Sequence, residues 1–89
     1  MEPAIRRTLR QNIRNRRLQL NMSQEALANA IGVTQPWIAL IESPNRTERP
    51  NLDQVATIAE VLKCQPYQLL TPDFFTGYST DGDDLRGRR

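Results

Sequence analysis

The sequence contains no histidine and only one cysteine, Cys64, among its 89 residues. Without histidine, the chain has no histidine-based catalytic triad, general acid or metal ligand. One thiol forms no internal disulfide and does not by itself build a zinc site. No apolar run approaches the roughly 20 residues that span a bilayer. We therefore predict a protein that is not an enzyme, with no catalytic residues, no cofactor, no metal site and no membrane-spanning segment.

Acidic residues are scarce at the start of the chain. Residues 1–20 contain six arginines against a single acidic residue, Glu2. The arginines interrupt any apolar stretch of the kind a secretory signal needs, and no serine precedes Ser23, which argues against a transit peptide. The segment also lacks an aromatic residue to anchor it at a membrane surface. This charge pattern favours a surface that meets phosphate groups.

The spacing of apolar residues predicts one domain of five short helices and no strand. The first helix covers about residues 3–20. Its core-facing stripe is predicted to include Ile5, Leu9 and Ile13, with Arg6, Arg10 and Arg14 in an adjacent row that faces solvent or a partner. The other helices are predicted at 24–31, 35–42, about 51–63 and 66–70, the fourth with an apolar face of Leu52, Val55, Ile58, Ala59 and Leu62.

Capping residues mark the helix ends. Ser23 and Thr34 suit the N-caps of the second and third helices, and Asn51 with Gln54 reads as a capping box for the fourth. Gly32 suits a helix end that needs a left-handed backbone. Helices 24–31 and 35–42 are thus separated by only a tight turn. This pattern is typical of a helix-turn-helix, in which the second helix protrudes toward DNA, and also of an ordinary helical hairpin in a small bundle.

The segment MSQEALANAIGVTQPWIALIE resembles the helix-turn-helix of the phage repressor and Cro-like (XRE) family. The likeness extends from about Arg16 to Leu70 and includes RRLQLN before the turn and LDQVATIAEVLKCQPYQLL after it. It implies an all-α, five-helix, lambda-repressor-like domain over residues 1–70, with the helix-turn-helix at about 24–42. Residues 71–89 are then expected to form a partly disordered C-terminal tail. The implied function is sequence-specific transcriptional regulation, as a repressor, by a cytoplasmic bacterial or phage protein that binds double-stranded DNA.

The resemblance also implies roles for individual residues. Gln35 lies where the family reads a base edge, and a glutamine side chain can bond adenine bidentately. The base-reading set is completed by Pro36, Trp37 and Leu40, which depart from the polar readers of some relatives and are expected to contact bases through apolar groups such as thymine methyls. The implied phosphate contacts are Gln24, Thr34, Asn45, Arg46, Thr47 and Arg16. Packing into the core is an equal alternative for Trp37.

Arg17 continues the apolar row of the first helix, where a charge requires a partner. By resemblance to the family, that partner is Glu42, and the pair is a structural latch between the first and third helices. The alternative is that Arg17 extends along its aliphatic stem to solvent.

Two further expectations concern partners. A single module of this kind buries little DNA surface, so we expect a homodimer, with Tyr67, Leu69, Leu70, Phe74, Phe75 and Tyr78 as available apolar contacts. The closing Arg86, Arg88 and Arg89 are candidates for additional phosphate contacts. The alternative function is a protein-interaction module, for example an antitoxin-like partner, that exposes Pro36, Trp37 and Leu40 to another protein.

Overall fold

The structure, a computed structural model, describes residues 2–76. These residues form five helices and no strand, which confirms the all-α prediction. The helices are α1 (Ala4–Gln19), α2 (Gln24–Ile31), α3 (Gln35–Glu42), α4 (Leu52–Val61) and α5 (Pro66–Leu69). No helix among the described residues is long and apolar enough to cross a membrane. The expectations for Tyr78, Arg86, Arg88 and Arg89 lie outside the described residues.

The predicted capping residues set the helix ends. The side chains of Ser23 and Thr34 each accept a hydrogen bond from a backbone N–H in the first turn of the helix that follows. Asn51 and Gln54 form the reciprocal bonds of a capping box at the start of α4. Gly32 ends α2 in the left-handed conformation, with φ of 79°. Local chemistry therefore sets where α2 and α3 begin and where α2 ends, while packing in the core stabilises these short helices.

The helices enclose one apolar core. Helix α2 packs on α3 and α4, α1 packs on α3 and α5, and α4 packs on α5. The buried apolar side chains are Leu9, Ile13, Leu27, Ala28, Ile38, Ile41, Val55, Ile58, Ala59, Leu62, Leu69 and Phe75. The small Ala28 lies in the core on α2, which allows α2 and α3 to approach closely.

The prediction for the first turn of α1 was wrong by one position. Ile5 is 62% exposed, whereas Arg6 is only 7% exposed. The row that faces the core is Arg6, Leu9, Ile13 and Arg17. Arg6 turns inward because it has partners there: its Nη1 donates to Glu2 Oε2 at 2.8 Å and its Nη2 donates to the carbonyl oxygen of Glu48. A buried guanidinium with such partners displaces the isoleucine to the surface.

Two leucines also depart from expectation. Leu52 was predicted on the apolar face of α4, but it is 83% exposed, because it is the first residue of the helix and the buried row begins one turn later, at Val55. Leu69 was predicted as part of a dimer surface, but it is fully buried. Helix α5 is short and packs on both α1 and α4, so Leu69 completes the core of the single chain.

The chain after α5 is fastened to α1. The side-chain amide of Asn12, which is buried, donates to the carbonyl oxygens of Leu69 and Thr71 at 3.0 and 2.8 Å. Its Oδ1 accepts from the backbone N–H of Phe75 at 3.3 Å. The Phe75 ring is buried in the core, while Phe74 remains exposed and packs edge-on against it. Residues as far as 75 therefore contribute to the domain.

Candidate nucleic-acid interface

The predicted ion pair between α1 and α3 is present. Arg17 donates from Nε to Glu42 Oε2 at 2.8 Å and from Nη2 to Oε1 at 2.9 Å. Both side chains are buried, at 6% and 3% exposure. The remaining Nη1 donates to the carbonyl oxygen of Met22, just ahead of α2, at 2.8 Å. One guanidinium thus holds α1, α3 and the start of α2 in fixed relation.

The N-terminal ends of α2 and α3 lie side by side. Gln24 is the first residue of α2 and Gln35 is the first residue of α3. The Nε2 of Gln35 donates to the Oε1 of Gln24 at 2.8 Å, so the side chains at the two helix starts are in direct contact. Helix α2 begins with the N–H groups of Gln24 and Glu25 free of backbone partners, and α3 begins with that of Gln35 alone, since Pro36 has no N–H. Both helix starts also carry a partial positive charge, so the paired ends suit an anionic group such as a phosphate.

Gln24 connects this surface to the buried ion pair. Its Nε2 donates to Glu42 Oε1 at 3.1 Å, while its Oε1 accepts from Gln35. Gln24 is half-buried and Gln35 is exposed. Thr34 is exposed as well, and its Oγ1 caps α3 by accepting from the Trp37 backbone N–H at 3.3 Å. The Thr34 hydroxyl proton remains available to donate to a phosphate.

The four residues assigned to base reading differ in exposure. Gln35 and Pro36 are exposed at the tip of α3, and Leu40 is half-buried. Trp37 is half-buried and packs against the core, which agrees with the core-packing alternative for this residue. The free surface of α3 therefore combines one hydrogen-bonding side chain with apolar groups, of the kind that contact thymine methyls.

The loop between α3 and α4 forms a second polar surface. Asn45, Arg46 and Thr47 are all exposed there. They line a cleft of about 310 Å³, whose full lining is Glu2, Pro3, Arg6, Asn45, Arg46, Thr47 and Arg49. These three predicted phosphate contacts therefore share one cleft, which the N-terminal segment of the chain also lines.

The charges around Glu2 are already paired. Glu2 accepts from Arg10 Nε at 2.8 Å and from Arg10 Nη2 at 3.0 Å, in addition to the bond from Arg6. The hydrogen bond from Arg10 and the charges of both arginines hold the pKa of Glu2 below its usual value, against burial, which raises it. Arg46 and Arg49, by contrast, form no ion pair with the acidic groups of residues 2–76.

Arg16 lies apart from these surfaces. Its Nε donates to the carbonyl oxygen of Leu62 at 2.9 Å and its Nη2 to that of Lys63 at 3.3 Å. Its guanidinium carbon lies 5.3 Å from the centre of the Phe75 ring. The guanidinium therefore satisfies the C-terminal carbonyls of α4 and stacks on an aromatic ring, a structural role that the sequence did not indicate.

Two features of the interface were not anticipated. One is the contact of Glu42 with Gln24, since Arg17 was the partner named for Glu42. The other is Arg49, which is exposed on the same cleft as Arg46. The composition of the loop, with basic residues at 46 and 49, carried a signal for Arg49. The Glu42 contact carried none, because the two residues lie 18 positions apart.

Comparison with known proteins identifies a family and similar solved structures. The model of a helix-turn-helix family matches residues 13–69, which is more than half of the chain. The crystal structure of a hypothetical transcription factor from Neisseria is similar, with a TM-score of 0.69 and 29% sequence identity over 76% of each chain. No curated protein matches significantly. The family match includes the whole α2–turn–α3 unit.

Proposed function

The chain belongs to the phage repressor and Cro-like (XRE) helix-turn-helix family of DNA-binding regulators, and we propose that it is a sequence-specific repressor. In this proposal, helix α3 enters the major groove of double-stranded DNA, and the protein acts in the cytoplasm, where that DNA lies. The observation that carries the proposal is the junction of two helix N-termini through the Gln35–Gln24 hydrogen bond of 2.8 Å. This hydrogen bond supports the proposal because a side chain that can bond a base edge lies beside helix N-termini that can bind a phosphate.

The roles divide between reading and holding. Gln35 reads a base, with apolar contacts from Pro36, Trp37 and Leu40. Gln24 and Thr34 at the helix starts, and Asn45, Arg46 and Thr47 in the loop, contact phosphates. Because the apolar residues of α3 form few hydrogen bonds, DNA shape contributes part of the specificity. Arg16 is not among the phosphate contacts in this proposal, since its guanidinium donates to the Leu62 carbonyl oxygen and lies over the Phe75 ring.

The active form in this proposal is a homodimer. One helix-turn-helix module buries only about 600–1,000 Å² on DNA, so useful affinity needs two half-sites about 34 Å apart. Tyr67, Leu70 and Phe74 are exposed at the C-terminal end of the domain, at 64%, 36% and 42%. These three residues supply the apolar contact. Sedimentation of the full chain, free and with DNA, tests this, and a strict monomer in both states contradicts it.

Selection of bound sequences from random duplex DNA tests the function itself. A repressor of this kind enriches one sequence with two related half-sites, and its affinity falls steeply between low and moderate salt as counterions are released. Lys63→Asn controls for the loss of one positive charge away from the proposed DNA contacts, and it should leave the enriched sequence unchanged. Lys63 is exposed just after α4, away from the α3–α4 loop, and asparagine tolerates the φ of 59° there. The absence of enrichment, together with a stable complex with a protein partner that depends on Pro36 and Leu40, would instead support the interaction-module alternative.

A further inference from the structure

We propose that Glu42 fixes the direction of the side-chain hydrogen bonds that reach Gln35, and thereby sets the order of donor and acceptor that Gln35 offers to a base. Glu42 is then a positioning residue for sequence recognition as well as half of a structural ion pair. The inference rests on the proposed function, in which Gln35 reads a base.

The contacts form an unbroken series from the core to the surface. Glu42 is held by two bonds from Arg17, at 2.8 and 2.9 Å. Its Oε1 also accepts from Gln24 Nε2 at 3.1 Å. Gln24 Oε1 in turn accepts from Gln35 Nε2 at 2.8 Å. The series begins at a buried carboxylate and ends at an exposed amide.

The direction of these bonds follows from the chemistry of the groups. A guanidinium only donates, and an ionised carboxylate only accepts. The Gln24 amide must therefore turn its NH₂ toward Glu42, which directs its Oε1 toward Gln35. Gln35 must then donate. The charges of Arg17 and Glu42 therefore determine the orientation of both amides, independently of how their nitrogen and oxygen atoms are assigned.

The fixed direction determines what Gln35 presents to DNA. Its amide uses one N–H for Gln24 and keeps the other N–H and Oε1 free, with the nitrogen nearer to Gln24. That edge matches adenine, whose N7 accepts and whose N6 donates, in one spatial order. If the Gln35 amide were turned over, its oxygen would lie nearer to Gln24 and its nitrogen farther away. The donor and acceptor would then match a base pair that presents its acceptor and donor in the opposite order. Glu42 thus influences base choice without touching DNA.

Glu42→Gln is the direct test. A neutral amide both donates and accepts, so the series then runs in either direction and Gln35 loses its preferred order. A bidentate contact of this type gives roughly 5- to 150-fold discrimination between bases. We expect the full-length variant to lose most of that discrimination at the one base pair that Gln35 reads, while binding to the other bases at this position changes by less than about threefold.

A second variant separates the hydrogen-bond series from the ion pair, because Glu42→Gln also weakens the contact with Arg17. Gln24→Met interrupts the series and leaves Arg17 and Glu42 paired. It is expected to lower affinity for all sequences, through its own phosphate contact, and to lose the same base discrimination. Gln19→Met is the matched control, since Gln19 lies on α1 and contacts Arg16, not the series. Its discrimination is expected to equal that of the wild type.

Side-chain amide resonances of the free, isotope-labelled protein give a readout that needs no DNA. In the wild type, Gln24 and Gln35 are each expected to show one N–H proton that exchanges slowly with water. Glu42→Gln is expected to lower this protection at Gln35, which then donates only part of the time, whereas Gln24 donates in either direction and keeps its protection. If the wild type showed the protected amide protons but no base preference in DNA binding, the base-reading function would be refuted. The fixed direction of the hydrogen bonds would still be supported. Unchanged discrimination in both Glu42→Gln and Gln24→Met, or an unchanged Gln35 amide in Glu42→Gln, would overturn the role of Glu42.

Discussion

Replacing Arg17 by alanine is expected to remove a large share of the stability of the domain, because it leaves a carboxylate buried without its charged partner. Glu42 is 3% exposed and would lose both guanidinium bonds, retaining only the donor of Gln24 at 3.1 Å. The Met22 carbonyl would lose its partner as well. Breaking a buried pair in this way costs about 3–5 kcal/mol. A domain of this size has roughly 4–11 kcal/mol in total, at about 0.05–0.15 kcal/mol per residue.

Urea unfolding followed by circular dichroism measures this loss. The double variant Arg17→Met/Glu42→Leu is the informative companion, since replacing a buried pair by apolar residues of similar volume is often neutral or stabilising by about 1–4 kcal/mol. We expect it to recover most of the stability that Arg17→Ala loses, although it lacks the hydrogen-bond series to Gln35. A loss below about 1 kcal/mol for Arg17→Ala would mean that the pair behaves as an exposed one, and the reasoning from burial would be wrong.

The other predictions concern DNA binding, the turn and the N-terminal ion pairs. Gln35→Ala should cost about 1–3 kcal/mol of binding free energy on the preferred site and relax the preference at one base pair. Arg46→Ala should weaken binding to all duplexes alike and reduce the slope of log affinity against log salt by about one. If Gln35→Ala weakened binding to every sequence equally, Gln35 would be a contact to the DNA backbone. Gly32→Ala should destabilise the domain by about 1–2 kcal/mol in thermal unfolding from backbone strain alone, because φ is 79° and nothing lies within 4 Å of the added methyl; no change would contradict the need for glycine. The pKa of Glu2 is lowered in the folded chain, so its contribution to stability is present above the unfolded pKa, near 4.3, and is lost as the pH falls through the folded value. Glu2→Gln should flatten the pH dependence of unfolding in that range, and an unchanged profile would show that the pairs with Arg10 and Arg6 do not stabilise the fold.

The sequence was sufficient wherever the deciding contacts are local. The caps at Ser23 and Asn51 and the left-handed Gly32 act on backbone groups within a few positions, so the residue types alone predict where α2 and α4 begin and where α2 ends. The same holds for the α2–turn–α3 unit and hence for the placement of Gln35 at the start of α3. The pair of Arg17 and Glu42 could be predicted for another reason. A charged residue in an apolar row requires a partner, and the family resemblance identified Glu42 as that partner.

Tertiary structure decided everything that depends on distant partners. The residue spacing on α1 fits a core-facing row that begins at residue 5 or at residue 6. Arg6 takes the buried position because its guanidinium donates to the Glu48 carbonyl oxygen, 42 positions away in the sequence. In the sequence, Arg16 resembles any surface arginine. Only the folded chain brings the carbonyl oxygens of Leu62 and Lys63, just after α4, within hydrogen-bond distance of it. The link between Glu42 and Gln35 through Gln24 spans separations of 18 and 11 positions and exists only once α1, α2 and α3 are packed together. Side-chain hydrogen bonds of this kind require both position and orientation, and a one-dimensional pattern contains neither.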